Sequence, residues 1–244
     1  MTVNHKFIGN PNAEEIIIFL HEGLGSITLW KDFPDLLCAL TNRYGLIYDR
    51  SGYGLSSGDL TNRSKDYLHQ AAEELETLIQ TSVPSHYKII LYGHSDGGSI
   101  ALIHAAKYPN RTLKVITEAA HVFVEDITIA GVKAARPLFD LGKFDGLRKY
   151  HGDRYKEVFY AWNDIWLADD FKNWDITSLL PNIKCKQLII QGVDDQYGTL
   201  KQVETIAQLT AGETLTFTPK QCGHAPHKEQ QEKVLKKAQG FIEK

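Results

Sequence analysis

The stretch Lys88-Ile89-Ile90-Leu91-Tyr92-Gly93-His94-Ser95-Asp96-Gly97-Gly98 constrains this chain more than any other. A short apolar run leads straight into Gly-x-Ser-x-Gly. An Ala/Ile/Leu-rich stretch then continues to Lys107 and stops ahead of Pro109. That order reads as strand, sharp turn, helix. A serine in such a turn takes strained backbone angles, so that its hydroxyl stands clear of the sheet. Gly93 and Gly97 remove the side chains that would clash there. The helix that follows aims its N-terminal N–H groups and positive dipole end at the same point. Ser95 is therefore the candidate nucleophile. The apolar strand before it and the helix after it set it apart from a serine that merely caps a helix.

The rest of the chain repeats the same alternation of short apolar runs and longer amphipathic stretches, the signature of a parallel sheet covered by helices. Ile16 to Leu20 reads as a strand buried on both faces, because the run is continuous rather than alternating. Gly45 to Tyr48, Lys88 to Tyr92, Leu113 to Thr117, Gln187 to Gln191 and Thr214 to Thr218 supply further strands. Helices are expected over Leu29 to Leu40, Ser64 to Gln80, Ser95 to Lys107 and Ala225 to Ile242. The segment from about His121 to Pro181 breaks the pattern. It has no convincing strand and is dense in aromatics, among them Trp162, Trp166 and Trp174. It reads as a helical insertion over the sheet, placed where ligands of open α/β sheets bind.

With 244 residues, 43% of them hydrophobic, one large α/β domain can bury its core. The net charge of −3 comes without a basic run, which argues against nucleic acid as a partner. Cys38, Cys185 and Cys222 are too few and too scattered for a disulfide framework. The first residues lack the apolar stretch of a signal peptide. The longest apolar run is far short of the roughly 20 residues that span a bilayer. The expectation is a cytoplasmic protein with no membrane span.

A serine hydroxyl is a poor nucleophile until a base takes its proton. On an elbow of this kind the acid and then the histidine follow the serine along the chain. His224 sits in Thr218-Pro219-Lys220-Gln221-Cys222-Gly223-His224, a loop leaving the last strand, and is the candidate base. His227 falls where the final helix should have begun and is read as a solvated helix-start residue. Cys222, His224 and His227 are close together, but no second ligand cluster completes a four-ligand metal site, so none is assigned. For the acid, Asp194 and Asp195 both follow the strand and turn Leu188-Ile189-Ile190-Gln191-Gly192-Val193. Glu118, after Val115-Ile116-Thr117, is a third candidate.

Phe19-Leu20-His21-Glu22-Gly23-Leu24-Gly25-Ser26 leaves the first clear strand. A turn of this kind can present a backbone N–H to a developing oxyanion, beside that of Asp96. Taken with Asp49-Arg50-Ser51-Gly52-Tyr53-Gly54-Leu55-Ser56, Gly93-His94-Ser95-Asp96-Gly97-Gly98, Gly192-Val193-Asp194-Asp195 and Gly223-His224, it forms a set of five motifs in order. Over nearly its whole length the chain resembles the α/β-hydrolase superfamily. The resemblance implies a doubly wound, mostly parallel sheet. Residues 1–120 and 181–244 form the core, and a helical cap is inserted at 121–180. The short amino end implies one fewer early strand than is common in the family. The family's Gly-x-x-Asp turn falls on Gly192 and Asp195, which favours Asp195 as the acid. Its oxyanion donor falls on Gly23, with Leu24 in reserve, because the family's usual Gly after the histidine is here Glu22. That departure puts a carboxylate at the site's edge, where it repels anionic substrates or holds an amine. The Asp49 turn is a structural support.

The implied chemistry is hydrolysis of a small-molecule ester or related acyl bond through Ser95, His224 and Asp195, with no cofactor. Carbon–carbon bond cleavage of a ring-cleavage product and non-catalytic ligand binding are the rival readings. Fold does not choose among the serine-dependent reactions. Trp162 and Trp166 lie four residues apart in Tyr155 to Leu167, on one face of a helix, and are the expected pocket wall. Phe159 extends the stripe.

Overall fold

The computed structural model describes residues 2–61 and 63–244; Met1 and Asn62 lie outside the described residues. Its frame is a sheet in the order β1-β3-β2-β4-β5-β6-β7. The strands are β1 (His5–Gly9), β2 (Glu15–Leu20), β3 (Tyr44–Tyr48), β4 (Lys88–His94), β5 (Thr112–Glu118), β6 (Lys186–Ile190) and β7 (Thr214–Phe217). All neighbours are parallel except β1, which runs antiparallel to β3. This edge strand is the one the sequence reading lacks. Its five residues are at most half-buried, so it carries no continuous apolar run.

Ile16 to Leu20 is fully buried because side chains leave it in both directions. Ile16, Ile18 and Leu20 pack with α2 (Tyr67–Ser82) and α3 (Asp96–Lys107). Ile17 and Phe19 pack with α1 (Phe33–Thr41) and the C-terminal helix. The sheet is thus covered on both faces, as its apolar strands require. Two expected helices are shorter than read. Leu29 to Leu40 is interrupted at Lys31, whose φ of 56° ends a short 3-10 turn before α1 begins. Ala225 to Ile242 divides at Gln230, whose non-helical backbone (φ −137°, ψ 49°) breaks it in two.

Between β5 and β6 lie α4 (Asp126–Asp140), the single turn α5 (Arg148–His151), α6 (Tyr155–Leu167) and 3-10 turns. One isolated bridge joins Phe123 to Asp175. Helix α7 (Leu200–Leu209), absent from the sequence reading, precedes β7. α8 (Pro226–Glu229) and α9 (Gln231–Ile242) close the chain. Among the described residues no helix is long and apolar enough to cross a membrane.

The chain adds β3 on one side of β2 and then returns to add β4 on the other. The crevice beyond the carboxyl ends of β2 and β4 is therefore a topological switch point, where open α/β sheets bind ligands. Leu20 pairs with Gly93 there, so the loops carrying Gly23 and Ser95 emerge side by side.

Candidate active site

Ser95 stands between β4 and α3 with φ 54° and ψ −118°, a strained conformation for a residue with a side chain. The turn holds because its neighbours are small. A Cβ on Gly93 would stand 2.2 Å from the Gly97 carbonyl oxygen, and one on Gly97 would stand 2.0 Å from that of Leu20. The Ser95 N–H donates to the Glu118 carbonyl at 2.8 Å, tying the elbow to β5.

The structure brings Ser95, His224 and Asp195 into one chain of hydrogen bonds. His224 Nε2 lies 2.9 Å from Ser95 Oγ, and Nδ1 lies 2.9 Å from both carboxylate oxygens of Asp195. A carboxylate only accepts, so Nδ1 carries the proton and Nε2 faces the serine hydroxyl with its lone pair. Burial pushes the Asp195 carboxyl up. The facing His224 ring and the Tyr197 N–H outweigh that and hold it below the usual carboxylate range.

The other acid candidates go elsewhere. Asp194 is exposed at the surface. Glu118 is fully buried behind the elbow, where it accepts from Tyr92 Oη and lies 2.6 Å from His227 Nδ1. His227 is accordingly not a solvated helix-start residue. It is 2% exposed and wedged against Trp30 and Phe33, where it fixes α8 to β5. The run Cys222-Gly223-His224-Ala225-Pro226-His227 does not converge on one point, since His224 faces Ser95 while His227 faces Glu118.

Several polar groups unforeseen from the sequence hold this arrangement. Glu229 accepts from the N–H groups of Gly223 at 2.6 Å and Ala225 at 3.0 Å, the residues on either side of His224. The His94 ring donates through Nε2 to the His224 carbonyl at 2.8 Å. Burial, then the neighbouring His227 and His224, hold His94 well below the usual histidine range, so it is neutral. The Val193 and Asp194 N–H groups donate to Pro219 and Cys222 carbonyls, which ties the acid loop to the histidine loop. Glu229 was the hardest of these to foresee, because its acceptor role depends on how the loop folds back over α8.

On the opposite side, the Asp96 side chain turns away from the crevice. It meets the Arg50 guanidinium at 3.3 Å and Tyr67 Oη at 3.1 Å, all buried. Its N–H, at the first position of α3, has no acceptor among the described residues. Arg50 also donates to the Glu22 carbonyl at 2.9 Å, so one side chain braces both the Gly23 loop and the start of α3. His21 completes the brace, donating through Nδ1 to the same carbonyl and accepting the Arg50 N–H. Burial and then Arg50 keep it well below its ordinary pKa, as this neutral form requires. Asp49 accepts from the Ile27 and Leu55 N–H groups and from Asn4, which pins the loop from below.

The Leu24 N–H is taken by the Glu22 carboxylate at 2.5 Å, whereas the Gly23 N–H has no acceptor among the described residues. Of the two donors expected there, Gly23 is the open one.

A cavity of about 250 Å³ opens over Ser95. His224, Gly23, Glu22, Trp162, Trp166 and Tyr197 line it, so both tryptophans and the acidic residue read from sequence meet at one space. Phe159 does not. It is fully buried and stacks on Phe139 with ring centroids 3.8 Å apart, inside the helical segment. Apart from the histidines, the charged groups at the cavity are Glu22, Lys228 and Glu229.

The arrangement has counterparts. Residues 17–237 match the alpha/beta hydrolase family. The serine hydrolase BPHL of Mus musculus is 28% identical over 224 residues, 85% of this chain and 72% of that protein. The proline iminopeptidase of Saccharolobus solfataricus is 27% identical over 177 residues, 71% of this chain and 50% of that one. The chain thus spans about half the length of the archaeal relative, and 60% of human BPHL. The crystal structure of the enol-lactonase from Burkholderia xenovorans LB400 is similar, with a TM-score of 0.76 and 16% identity over 99% of this chain and 96% of that one. That of a thermophilic esterase from Thermogutta terrifontis has a TM-score of 0.73 and 19% identity over 99% and 93%. At such identities the structural likeness is one of fold. The family match extends from β2 into α9, and the chain belongs to the alpha/beta hydrolase family.

Proposed function

We propose that this chain hydrolyses a carboxylic ester, or a related acyl bond, of a small molecule through an acyl-enzyme on Ser95. The observation that carries the reading is the 2.9 Å contact of Ser95 Oγ with His224 Nε2, backed by Asp195 on the far side of the ring. As Ser95 attacks the carbonyl carbon, its proton passes to His224 Nε2. Asp195 holds the tautomer and stabilises the imidazolium that forms. The oxyanion takes the N–H groups of Gly23 and Asp96. His224 then protonates the departing alcohol, and water cleaves the acyl-enzyme by the same route in reverse. The chemistry needs no cofactor. Residues 121–180 act as a cap, with Trp162 and Trp166 as the pocket wall that sets specificity.

Short p-nitrophenyl esters and a fluorophosphonate probe test this directly. The wild type should turn over the esters and label stoichiometrically at Ser95. Ser95→Ala should fold, fail to label and lose turnover by orders of magnitude. A pure Ser95→Ala preparation that keeps more than a few per cent of the rate would refute the assignment. A wild type that cleaves none of the esters and takes no label would return the protein to the ligand-binding reading.

A further inference from the structure

Glu22 interrupts the loop that offers Gly23, and no other feature of the cavity is so unlike a plain ester pocket. Its carboxylate lines the same space as Ser95. One oxygen, Oε2, accepts the Leu24 N–H. The carboxylate has no Lys, Arg or His within ion-pair distance among the described residues; Arg50 reaches the Glu22 carbonyl and Asp96 through Nη2 instead. The group is half-buried, so its charge is only partly screened by water.

Aromatic rings line the same cavity. The Trp162 indole lies so close to Gly23 that a Cβ there would stand 2.3 Å from its Cδ1. Tyr197 meets Trp162 edge-on at 6.3 Å. Tyr197 lines the same cavity as Glu22, and burial, and next the Glu22 charge, push its phenol up. A carboxylate beside an indole and a phenol, open to a cavity, is the chemistry that holds an ammonium ion. The other charges do not cancel it. Glu229 spends its oxygens on the Gly223 and Ala225 N–H groups, and Lys228 is exposed at the rim.

We propose that Glu22, with Trp162 and Tyr197, forms an ammonium subsite, so that the preferred substrates carry a primary amine on the acyl side, close to the scissile carbonyl. Glu22 lines the same cavity as Ser95 and immediately precedes the proposed oxyanion donor Gly23, so the amine is placed near the reacting carbon. This rests on the hydrolase reading above and narrows it to aminoacyl esters and their relatives.

The test compares leucine methyl ester with methyl 4-methylpentanoate, which lacks only the amine, and with the anionic monomethyl succinate, by pH-stat titration. In the wild type, kcat/KM for the amine-bearing ester should exceed that for its neutral counterpart by about tenfold or more, the worth of one charge-assisted hydrogen bond. The succinate ester should be poorest. Glu22→Gln keeps an acceptor for the Leu24 N–H but removes the charge. The amine-to-neutral ratio should collapse to within about threefold, and the succinate ester should gain on the neutral one. Equal rates in the wild type, a preference for succinate, or a preference for the amine that survives Glu22→Gln would each overturn the subsite. A binding measurement separates this from failure of the hydrolase reading. Ser95→Ala protein titrated calorimetrically with leucinamide and 4-methylpentanamide should bind the amine at least tenfold more tightly, and should lose that margin when Glu22→Gln is added. Equal binding of the two amides refutes the subsite whether or not the chain cleaves esters.

Discussion

The two walls of the cavity are built on different principles. One wall consists of the loops after β2, β4, β6 and β7, and buried polar bonds hold it. Arg50 reaches Glu22 and Asp96, His94 reaches His224, His227 reaches Glu118, and Glu229 brackets the base. The other wall comes from the segment between β5 and β6, where aromatic packing dominates. Phe139 stacks on Phe159, and Trp166 meets Phe171 at 5.0 Å and Trp174 at 6.1 Å. Hydrogen bonds are directional, so the first wall holds its groups in one arrangement, as the proposed acyl transfer requires. Apolar contact is not directional. The second wall can change shape at less cost than the first, so on the proposed function the chemistry is assigned to the first wall and the fit to the substrate's apolar part to the second.

The sharpest way to break that comparison is to cut one polar bond in the first wall. Asp195→Asn keeps the shape but replaces one carboxylate oxygen with an NH2 donor and removes the charge, so the His224 tautomer is no longer fixed. It should lower kcat by roughly 10⁴, the magnitude known for the equivalent change in a serine protease. Asp194→Asn, at an exposed position, should change kcat by less than about threefold. Steady-state kinetics on one p-nitrophenyl ester decides it. The reverse ranking would reassign the acid.

The same contrast explains what could be read before any coordinates. The inner strands were legible because burial on both faces leaves apolar runs such as Ile16 to Leu20, and the half-buried edge strand β7 because Leu215 and Phe217 alternate with threonines. β1 was not, since an antiparallel edge strand with half-buried residues has no such run. Ser95, His224 and the Gly23 turn were legible because backbone geometry forces glycines and a histidine into fixed local spacing. Their braces were not. Glu118 finds His227 109 positions later, and no local pattern encodes that pairing. It also explains why His227 was misjudged as solvated, for a Pro-His-Lys-Glu turn looks like a surface helix start until its partner is known. Resemblance, not spacing, separated Asp195 from Asp194. Composition marked the second wall as aromatic, but not which rings face the cavity. Trp162 and Trp166 line it, while Phe159, on the same helix, turns into the packing beneath.

A smaller effect should appear in stability as the pH falls. His21 and His94 are buried in the polar wall and His121 just after β5, and burial is the main cause that lowers each pKa. His104 and His151 are lowered in the same way. In the unfolded chain these rings titrate near 6.5. Below that pH the unfolded state binds protons that the folded state refuses. Their contribution is therefore complete above about pH 6.5 and is lost as the pH drops toward the depressed folded values, by up to about 1.4 kcal/mol per unit for each ring. Asp195 acts only lower down. Its depressed carboxyl favours folding above its unfolded value near 3.8 and loses that effect as the pH falls through the folded one. Urea midpoints at pH 7.5, 6.5 and 5.5 should decline mainly over the last step, and His94→Gln should flatten that step. A constant midpoint across the range would show that these rings accept protons in place, and that the polar wall is less closed than its geometry implies.

The smallest effect on turnover is expected at the second wall, where the two tryptophans should separate from each other. Trp166 is 2% exposed and packed between His121, Phe171 and Trp174, so its ring is as much core as cavity. Truncating it to alanine should cost about 3–5 kcal/mol and lower the melting temperature clearly, as for other buried large aromatics. Trp162 is only half-buried, and its indole edge lies against Gly23 and Tyr197. Trp162→Ala should leave the fold almost as stable. It should change relative kcat/KM by only a few-fold across neutral acyl esters of increasing chain length, since one added or lost methylene contact in an apolar pocket discriminates weakly. Longer chains should gain on shorter ones, because the missing ring enlarges the cavity where the acyl chain lies. Chain-length profiles and thermal melts of the two variants measured together decide between a wall that selects and a wall that only holds. If both variants lose stability alike and neither alters the profile, the aromatic wall is packing alone, and selectivity must come from the polar loops across the cavity.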